Sequence, residues 1–167
     1  MSRGFVKEND QEEIPIVPPR AYLPAGVTNY VTQVGMDELL AERALLVGEK
    51  NNLDSSDDNE KRIMVNHIHA KLQLLNHRIA EARIVNLNEQ PQHEIRFGAL
   101  VTVRTEGTNQ IQTFQIVGVD EANISRGKIS FISPVAKVLI NRKVGDKVVI
   151  LRASGNIIYE ILEITYG

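Results

Sequence analysis

The 167-residue chain contains no cysteine and no tryptophan, and aromatic residues make up 5% of it. Without cysteine, a disulfide framework and a thiolate zinc site are both excluded. So few aromatic rings leave little surface on which nucleic-acid bases could stack. The sequence has no apolar run of about 18 residues and no signal-peptide pattern at its start. We therefore expect a soluble, cytoplasmic protein with no membrane partner.

The charge of the chain is also nearly balanced, with a net charge of −2 at pH 7. Proteins that coat nucleic acid usually carry clustered excess lysine and arginine. We therefore expect a protein partner. A hydrophobic content of 43% provides enough apolar side chains for one medium domain or two small ones.

Four segments of different pattern follow one another along the chain. Residues 1–28 hold four of the six prolines and show neither helical nor strand periodicity, which predicts an extended or disordered arm. Residues 29–86 have amphipathic helical periodicity, and residues 87–95 form a polar linker. Residues 96–167 alternate as β-strands do. The whole predicts an α+β fold, in which an antiparallel helical hairpin precedes a β domain with one helix.

The amino-terminal arm leaves two interpretations open. It is either disordered or packed along the body through its apolar side chains, which a fully disordered tail would less often contain. These side chains are Ile14, Ile16, Val17, Tyr22 and Leu23.

Two apolar stripes predict the hairpin. Spacings of three and four residues, typical of a coiled-coil seam, connect Val65, Ile68, Leu72, Leu75, Ile79 and Ala82. The upstream stripe consists of Met36, Leu39, Leu40, Leu46 and Val47. At the helical rise, the first helix has a seam of roughly 17 Å and the second a seam of roughly 26 Å. The sequence therefore predicts a short coiled coil.

The predicted turn of the hairpin, NNLDSSDDNEK, is rich in acids. Its acidic residues are Asp54, Asp57, Asp58 and Glu60. In one interpretation these acids, with the two serines of the turn, cap the second helix and interact with its dipole; the candidate caps are Asp54, Ser55, Ser56 and Asp57. In the other, carboxylates on a projecting tip share a magnesium ion. Spacing alone leaves both interpretations open.

The last segment contains five strand patterns, FGALVTVRT, IQTFQIVGV, KISFIS, DKVVILRA and NIIYEILEI. Between the third and the fourth, Ser133 can cap a helix whose first residue is Pro134. The chain has no HExxH spacing, no glycine-rich phosphate loop and no nucleophile elbow. We therefore expect neither an independent catalytic site nor a cofactor of its own.

One stretch of this segment resembles a known family. ISFISPVAKVLINRKVGDKVVI, residues 129–150, is similar to the carboxy-terminal signature of the bacterial Gre transcription elongation factors. IRFGALVTV and FQIVGVDEA resemble the preceding strands of that family, and NYVTQVGMDELLAERALL resembles the start of its first helix. The resemblance covers residues 29–167. It implies a coiled coil followed by an FKBP-like domain that is not a prolyl isomerase.

The resemblance also implies a partner and a role. Gre factors bind RNA polymerase at the rim of its secondary channel, and the matching docking residues are Ser133, Pro134, Val135, Ala136 and Lys137. Their coil enters the channel, where tip acids help to hold a second magnesium ion while the polymerase cleaves backtracked RNA. In this chain the corresponding metal ligands are Asp54, Asp57 and Asp58, with the magnesium shared with RNA polymerase. Contact with RNA or DNA is then indirect, and a monomer is expected because the hairpin satisfies its own seam.

Two features depart from the family pattern. The family tip carries Gly-Asp, an acid three residues further on, and then Asn-Ala; an ungapped alignment places Asp54 at the second acid and Asn51 at the first. The coiled coil is also shortened. One alternative is a non-cleaving polymerase-binding regulator similar to the regulator of nucleoside diphosphate kinase. Another is a scaffold for an unrelated partner.

Overall fold

The computed structural model describes residues 15–54 and 56–167. The predictions for residues 1–14 of the arm, and for Ser55 as a cap, lie outside these residues. The helices and strands are β1 Asn29–Val31, α1 Gln33–Asn51, α2 Asp58–Glu81, β2 Ala82–Ile84, β3 Leu100–Thr105, β4 Ile111–Val117, β5 Lys128–Ser130, α3 Pro134–Leu139, β6 Lys147–Ile150 and β7 Ile157–Thr165.

Helices α1 and α2 form the predicted hairpin, but they are longer than its apolar seams. α1 has 19 residues and α2 has 24, which correspond to about 28 Å and 36 Å. The helix lengths predicted from the apolar seams are therefore too short. Once a helix is nucleated, each further residue costs little, and the polar residues beyond the seam include good helix formers such as Lys50 and Lys61.

The core of the hairpin contains most of the predicted seam. Its buried side chains are Val31, Leu39, Leu46, Ile68, Leu72 and Leu75. The prediction that Leu40 and Val47 belong to the buried seam is wrong, because they are 38% and 37% exposed. Each directly follows a buried leucine, and one residue along a helix turns the side chain by about 100° away from the partner helix.

A two-stranded parallel pair closes the base of the hairpin. Strand β1 pairs with β2 so that Asn29 lies opposite Ala82 and Val31 lies opposite Ile84. The sequence pattern places Ala82 on the second helix, and this is wrong. α2 ends at Glu81 and the backbone of Ala82 is extended. Ile84 and Val85 continue that extended segment, since β-branched residues favour strands.

The five remaining strands form one sheet in the order β5-β4-β3-β7-β6. All neighbours are antiparallel except β4 and β5, which are parallel. Helix α3 packs on the sheet, and the core of this domain contains Val101, Val103, Ile116, Leu139 and Ile161. The predicted fold class, α+β with a helical hairpin before a β domain, is confirmed. Within residues 15–54 and 56–167, no helix has both the length and the apolar content needed to cross a membrane.

Residues 15–28 contain no helix or strand. Of the apolar side chains named in the packed interpretation, Ile16 is 92% and Tyr22 is 77% exposed, whereas Val17 and Leu23 are half-buried. Arg20 also contacts the body and reaches both α1 and the loop after β4. Of the two interpretations left open, packing along the body therefore does not hold for Ile16 and Tyr22, and a charged side chain contributes to the attachment of the segment.

Candidate functional site

The acidic turn lies at the distal end of the hairpin. Asp57 is the N-cap of α2, and its Oδ1 accepts hydrogen bonds from the backbone N–H groups of Asn59 at 2.9 Å and Glu60 at 3.4 Å. Asp58 and Glu60 occupy the first turn of the helix, where negative charge interacts favourably with the helix dipole. The capping interpretation is therefore confirmed for Asp57.

The magnesium interpretation depends on how many oxygen ligands the tip can supply. Magnesium prefers six oxygen ligands in octahedral geometry. Among the residues that the structure describes, no group of three histidine or acidic side chains is arranged to hold a metal. The exposed side chains of Asp54 and Asp58 could supply only part of a coordination shell. A metal at this tip would thus need further ligands from a partner.

An open apolar groove of about 870 Å³ lies between the two helices next to this tip. Leu45, Ile63 and Met64 line it and are 64%, 59% and 42% exposed. The groove continues the interhelical surface at the point where the buried seam ends. Apolar side chains are therefore exposed in the distal part of the hairpin.

The Ser-Pro helix α3 is a second candidate surface. The side chain of Ser133 accepts a hydrogen bond from the backbone N–H of Ala136 at 3.3 Å, and Pro134 occupies the first turn. Pro134 and Lys137 are exposed, whereas Val135 is half-buried.

The prediction that Ala136 belongs to the docking surface is wrong. Ala136 has 0% exposure and belongs to the core of the β domain. Its methyl group faces the sheet, and so it cannot contact a partner directly. Its place in the motif is explained by packing, because a small side chain lets α3 lie close to the sheet.

The hairpin and the β domain contact each other through residues whose proximity the sequence did not reveal. We call this contact region the joint. Arg20 donates two hydrogen bonds to the carboxylate of Glu42 on α1, at 2.9 and 3.0 Å, and one to Asp120 in the loop after β4, at 3.1 Å. Arg78 on α2 approaches the other oxygen of Asp120, with Nε to Oδ2 at 3.4 Å. This contact is an ion pair without hydrogen-bond geometry.

Three of the four side chains in this network are largely shielded from water, and Glu42 is 43% exposed. The side chains of Arg20, Arg78 and Asp120 are 19%, 12% and 8% exposed. The hydrogen bond to Glu42 raises the pKa of Arg20, and the nearby Asp120 adds to that rise, while partial burial opposes it. Two cations and two anions balance each other, as partly buried charges require.

Glu121 makes a second connection across the joint. The hydroxyl of Thr32, which also caps α1, donates to Glu121 Oε1, and Lys128 donates to Oε2 at 3.2 Å. Gly35 passes so close that a Cβ atom there would lie 2.7 Å from Oε1. The first turn of α1 is therefore fixed against the β domain by a buried carboxylate.

Aromatic rings complete the joint. Tyr30 of β1 lies against Phe97 and Phe131 of the β domain, with ring centroids 6.0 and 5.8 Å away, and these two rings lie 5.6 Å from each other. Such separations allow favourable tilted and edge-to-face contacts. The sequence signals were adjacent acids in VGVDEAN and an arginine after two prolines in the arm. Neither signal indicates its distant partner.

The β domain matches a known protein family. Residues 90–166 match the family described as "Transcription elongation factor, GreA/GreB, C-term". The match includes the whole five-stranded sheet and helix α3. The Gre resemblance inferred from the Ser-Pro to Val-Gly-Asp stretch is thereby confirmed, since that stretch lies inside the match.

Curated relatives agree with this GreA/GreB assignment. The chain is 38% identical over 100 residues to "Transcription elongation factor GreA" of Maricaulis maris (strain MCS10), over 60% of this chain and 64% of that protein. It is 37% identical over 101 residues to the GreA of Sinorhizobium medicae (strain WSM419), again over 60% and 64%. The chain thus covers less than two thirds of the length of these relatives.

A solved GreA/GreB structure is also similar. "Prokaryotic transcription elongation factor GreA/GreB from Nitrosomonas europaea" is 21% identical, with a TM-score of 0.43 over 82% of this chain and 98% of that one. The family assignment rests on the sequence matches, which are stronger.

Proposed function

We propose that this chain is a transcription elongation factor that binds RNA polymerase at its secondary channel and stimulates cleavage of backtracked RNA. The match of residues 90–166 to the GreA/GreB carboxy-terminal domain carries this proposal. Relatives named GreA support it, whereas no comparison favours the alternative regulator of nucleoside diphosphate kinase type. In this role the protein acts on the polymerase and is not an independent enzyme.

The proposed docking surface is the exposed side of α3. Pro134 and Lys137 present their side chains to solvent, and the half-buried Ser133 and Val135 flank them. Ala136 supports this surface from the core side. Lys137 gives the surface a positive charge, so an acidic patch on the polymerase would complement it.

The proposed role of the hairpin is to carry Asp54, Asp57 and Asp58 into the channel. These acids follow the distal end of α1, which is about 28 Å from the start of that helix at Gln33. Magnesium held jointly by the polymerase and these carboxylates would activate water for phosphodiester hydrolysis. Asp54 and Asp58 are the better candidates for ligands, because Asp57 Oδ1 already accepts two backbone hydrogen bonds.

Binding can be tested by co-purification with RNA polymerase. Pro134→Ala combined with Lys137→Glu changes the exposed side of α3 and leaves the Ser133 cap intact. We expect a large loss of bound polymerase with little change in melting temperature. Arg152→Glu, a matched charge reversal in the exposed turn before β7, should bind normally. Undiminished binding by the double variant would refute the docking surface.

Cleavage can be tested with stalled, backtracked elongation complexes and magnesium. The parent protein should release short RNA fragments. The triple variant Asp54→Asn, Asp57→Asn, Asp58→Asn should not, although asparagine preserves the cap at residue 57. Equal cleavage by the triple variant would remove the carboxylates from the mechanism and leave them as caps alone.

A further inference from the structure

We propose that residues 15–28 form a clamp that fixes the direction of the hairpin relative to the β domain, and that Arg20 is a positioning residue for the hairpin tip. The functional consequence of this clamp rests on the proposed function. The clamp itself is a property of the chain and can be measured without polymerase.

Arg20 joins three parts of the chain. It belongs to the arm, binds Glu42 of α1 through both carboxylate oxygens, and binds Asp120 of the β domain. Two parallel N–H to oxygen bonds fix the orientation of a guanidinium as well as its position. Removing Arg20 would leave Glu42 without these two bonds and would remove one of the two cations that contact Asp120.

The hairpin also holds the arm through α2. Arg78 of α2 donates through Nη2 to the backbone carbonyl of Ala21 while its Nε faces Asp120. The arm therefore lies between a side chain of α1 and a side chain of α2. Because Ile16 and Tyr22 are exposed, apolar burial holds only part of residues 15–28, and this charged contact adds to it.

A small tilt at the clamp becomes a larger displacement at the tip. On α2 the clamp acts at Arg78, close to the end of the helix at Glu81, and Asp58 at the tip lies about 30 Å away along the helix. A tilt of about 10° would displace the tip by roughly 5 Å over such a length. Misplacement of a catalytic group by about 1 Å can already cost roughly 100-fold in rate. A clamp at the base therefore controls the tip far more than it controls docking through α3.

The absence of cysteine allows a direct measurement of hairpin direction. Asn51→Cys at the end of α1 and Leu151→Cys on the exposed surface of the β domain provide two specific spin-labelling sites. Double electron–electron resonance on the full chain should give a narrow distance distribution for the parent protein. Arg20→Gln should broaden or shift it by several ångströms.

A matched control tests whether the loss of an ion pair elsewhere in the chain has the same effect. Arg104→Gln breaks the 2.8 Å contact with Glu160, which lies wholly within the sheet, and should leave the distance distribution unchanged. Glu42→Ala removes both acceptor oxygens at the α1 end of the clamp and should reproduce the effect of Arg20→Gln. It also covers the case in which the arginine variant folds poorly. A distribution unchanged in both clamp variants would overturn the proposal.

The cleavage assay then tests the consequence. Arg20→Gln should reduce the rate of RNA cleavage by at least about fivefold and leave binding to polymerase near the parent level. If the parent protein cleaves no RNA, the proposed function fails, whereas the spin-label distances still decide the clamp. Unchanged cleavage together with broadened distances would show a clamp that does not position the tip.

Discussion

Gly118 of the β domain lies directly against the backbone of Tyr30 at the base of the hairpin. A Cβ atom added to Gly118 would lie 2.5 Å from the carbonyl oxygen of Tyr30. The obstacle is backbone, which cannot move aside as the end of a flexible side chain can. Glycine at this position therefore allows the two parts of the chain to approach closely.

Gly118→Ala should consequently destabilise the protein. Overpacking of a close contact typically costs about 1 to 3 kcal/mol. We expect a lower melting temperature and a separation of Tyr30 from its aromatic neighbours, visible as changed ring chemical shifts of Phe97 and Phe131. An unchanged melting temperature would show that the backbone of β1 yields without cost.

Gly48→Ala is the complementary prediction in α1. Nothing lies within 4 Å of a Cβ atom at this helical position. Alanine stabilises a helix interior by about 0.8 to 1 kcal/mol relative to glycine. Denaturant unfolding should therefore show a gain in stability, and a loss would indicate that the groove beside Gly48 is filled.

Tyr166 links the last strand to the segment before the sheet. Its hydroxyl donates to the carbonyl of Glu94 at 2.6 Å and accepts from the backbone N–H of Arg96 at 2.7 Å. Tyr166→Phe leaves both backbone groups without this partner, and we expect a loss of about 1 to 3 kcal/mol in the free energy of unfolding. Chemical denaturation at pH 7 measures it.

The same residue predicts a pH dependence. Burial raises the pKa of Tyr166 above its ordinary value of 10.0. Its contribution to stability is thus complete below pH 10 and is lost as the pH rises through the higher folded-state pKa. The stability of the parent protein and of Tyr166→Phe should converge in that alkaline range. A constant difference at all pH values would contradict the shift.

Glu160 predicts an acidic titration. Its hydrogen bond from Arg104, at 2.8 Å, lowers its pKa below the ordinary value of 4.5. Any stabilisation by this pair is present above pH 4.5 and is lost as the pH falls through the lower folded-state pKa. Carboxyl NMR should give a titration midpoint below 4.5, and Arg104→Gln should return it towards that value.

Asp57 allows its capping role to be separated from any catalytic role. Asp57→Ala removes the N-cap of α2 and should cost about 0.5 to 2 kcal/mol. Asp57→Asn should cost much less, because asparagine caps about as well as aspartate. Circular dichroism melting measures both. If Asp57→Asn alone abolished RNA cleavage without a loss of stability, its carboxylate would have a role beyond capping.

The regular elements were predictable because their signals are local. Spacings of three and four residues indicated α2, alternation indicated the five strands of the sheet, and Ser133 followed by Pro134 indicated the start of α3. Local signals also identified Asp57 among the candidate caps. They did not reveal the parallel pairing of β1 with β2. Strands of three residues carry almost no periodicity, and these two strands lie more than 50 residues apart along the chain.

By itself, the sequence determined the α+β class, the hairpin and the strands, the Gre resemblance and the position of the acids at a helix start, since each depends on near neighbours along the chain. Only the tertiary structure decided that Ala136 is buried and that Arg20, Glu42, Arg78 and Asp120 meet at one joint. Arg20 and Asp120 are 100 positions apart. An ion pair leaves no periodic pattern in the sequence, and it forms only where the folded backbone brings opposite charges together out of water.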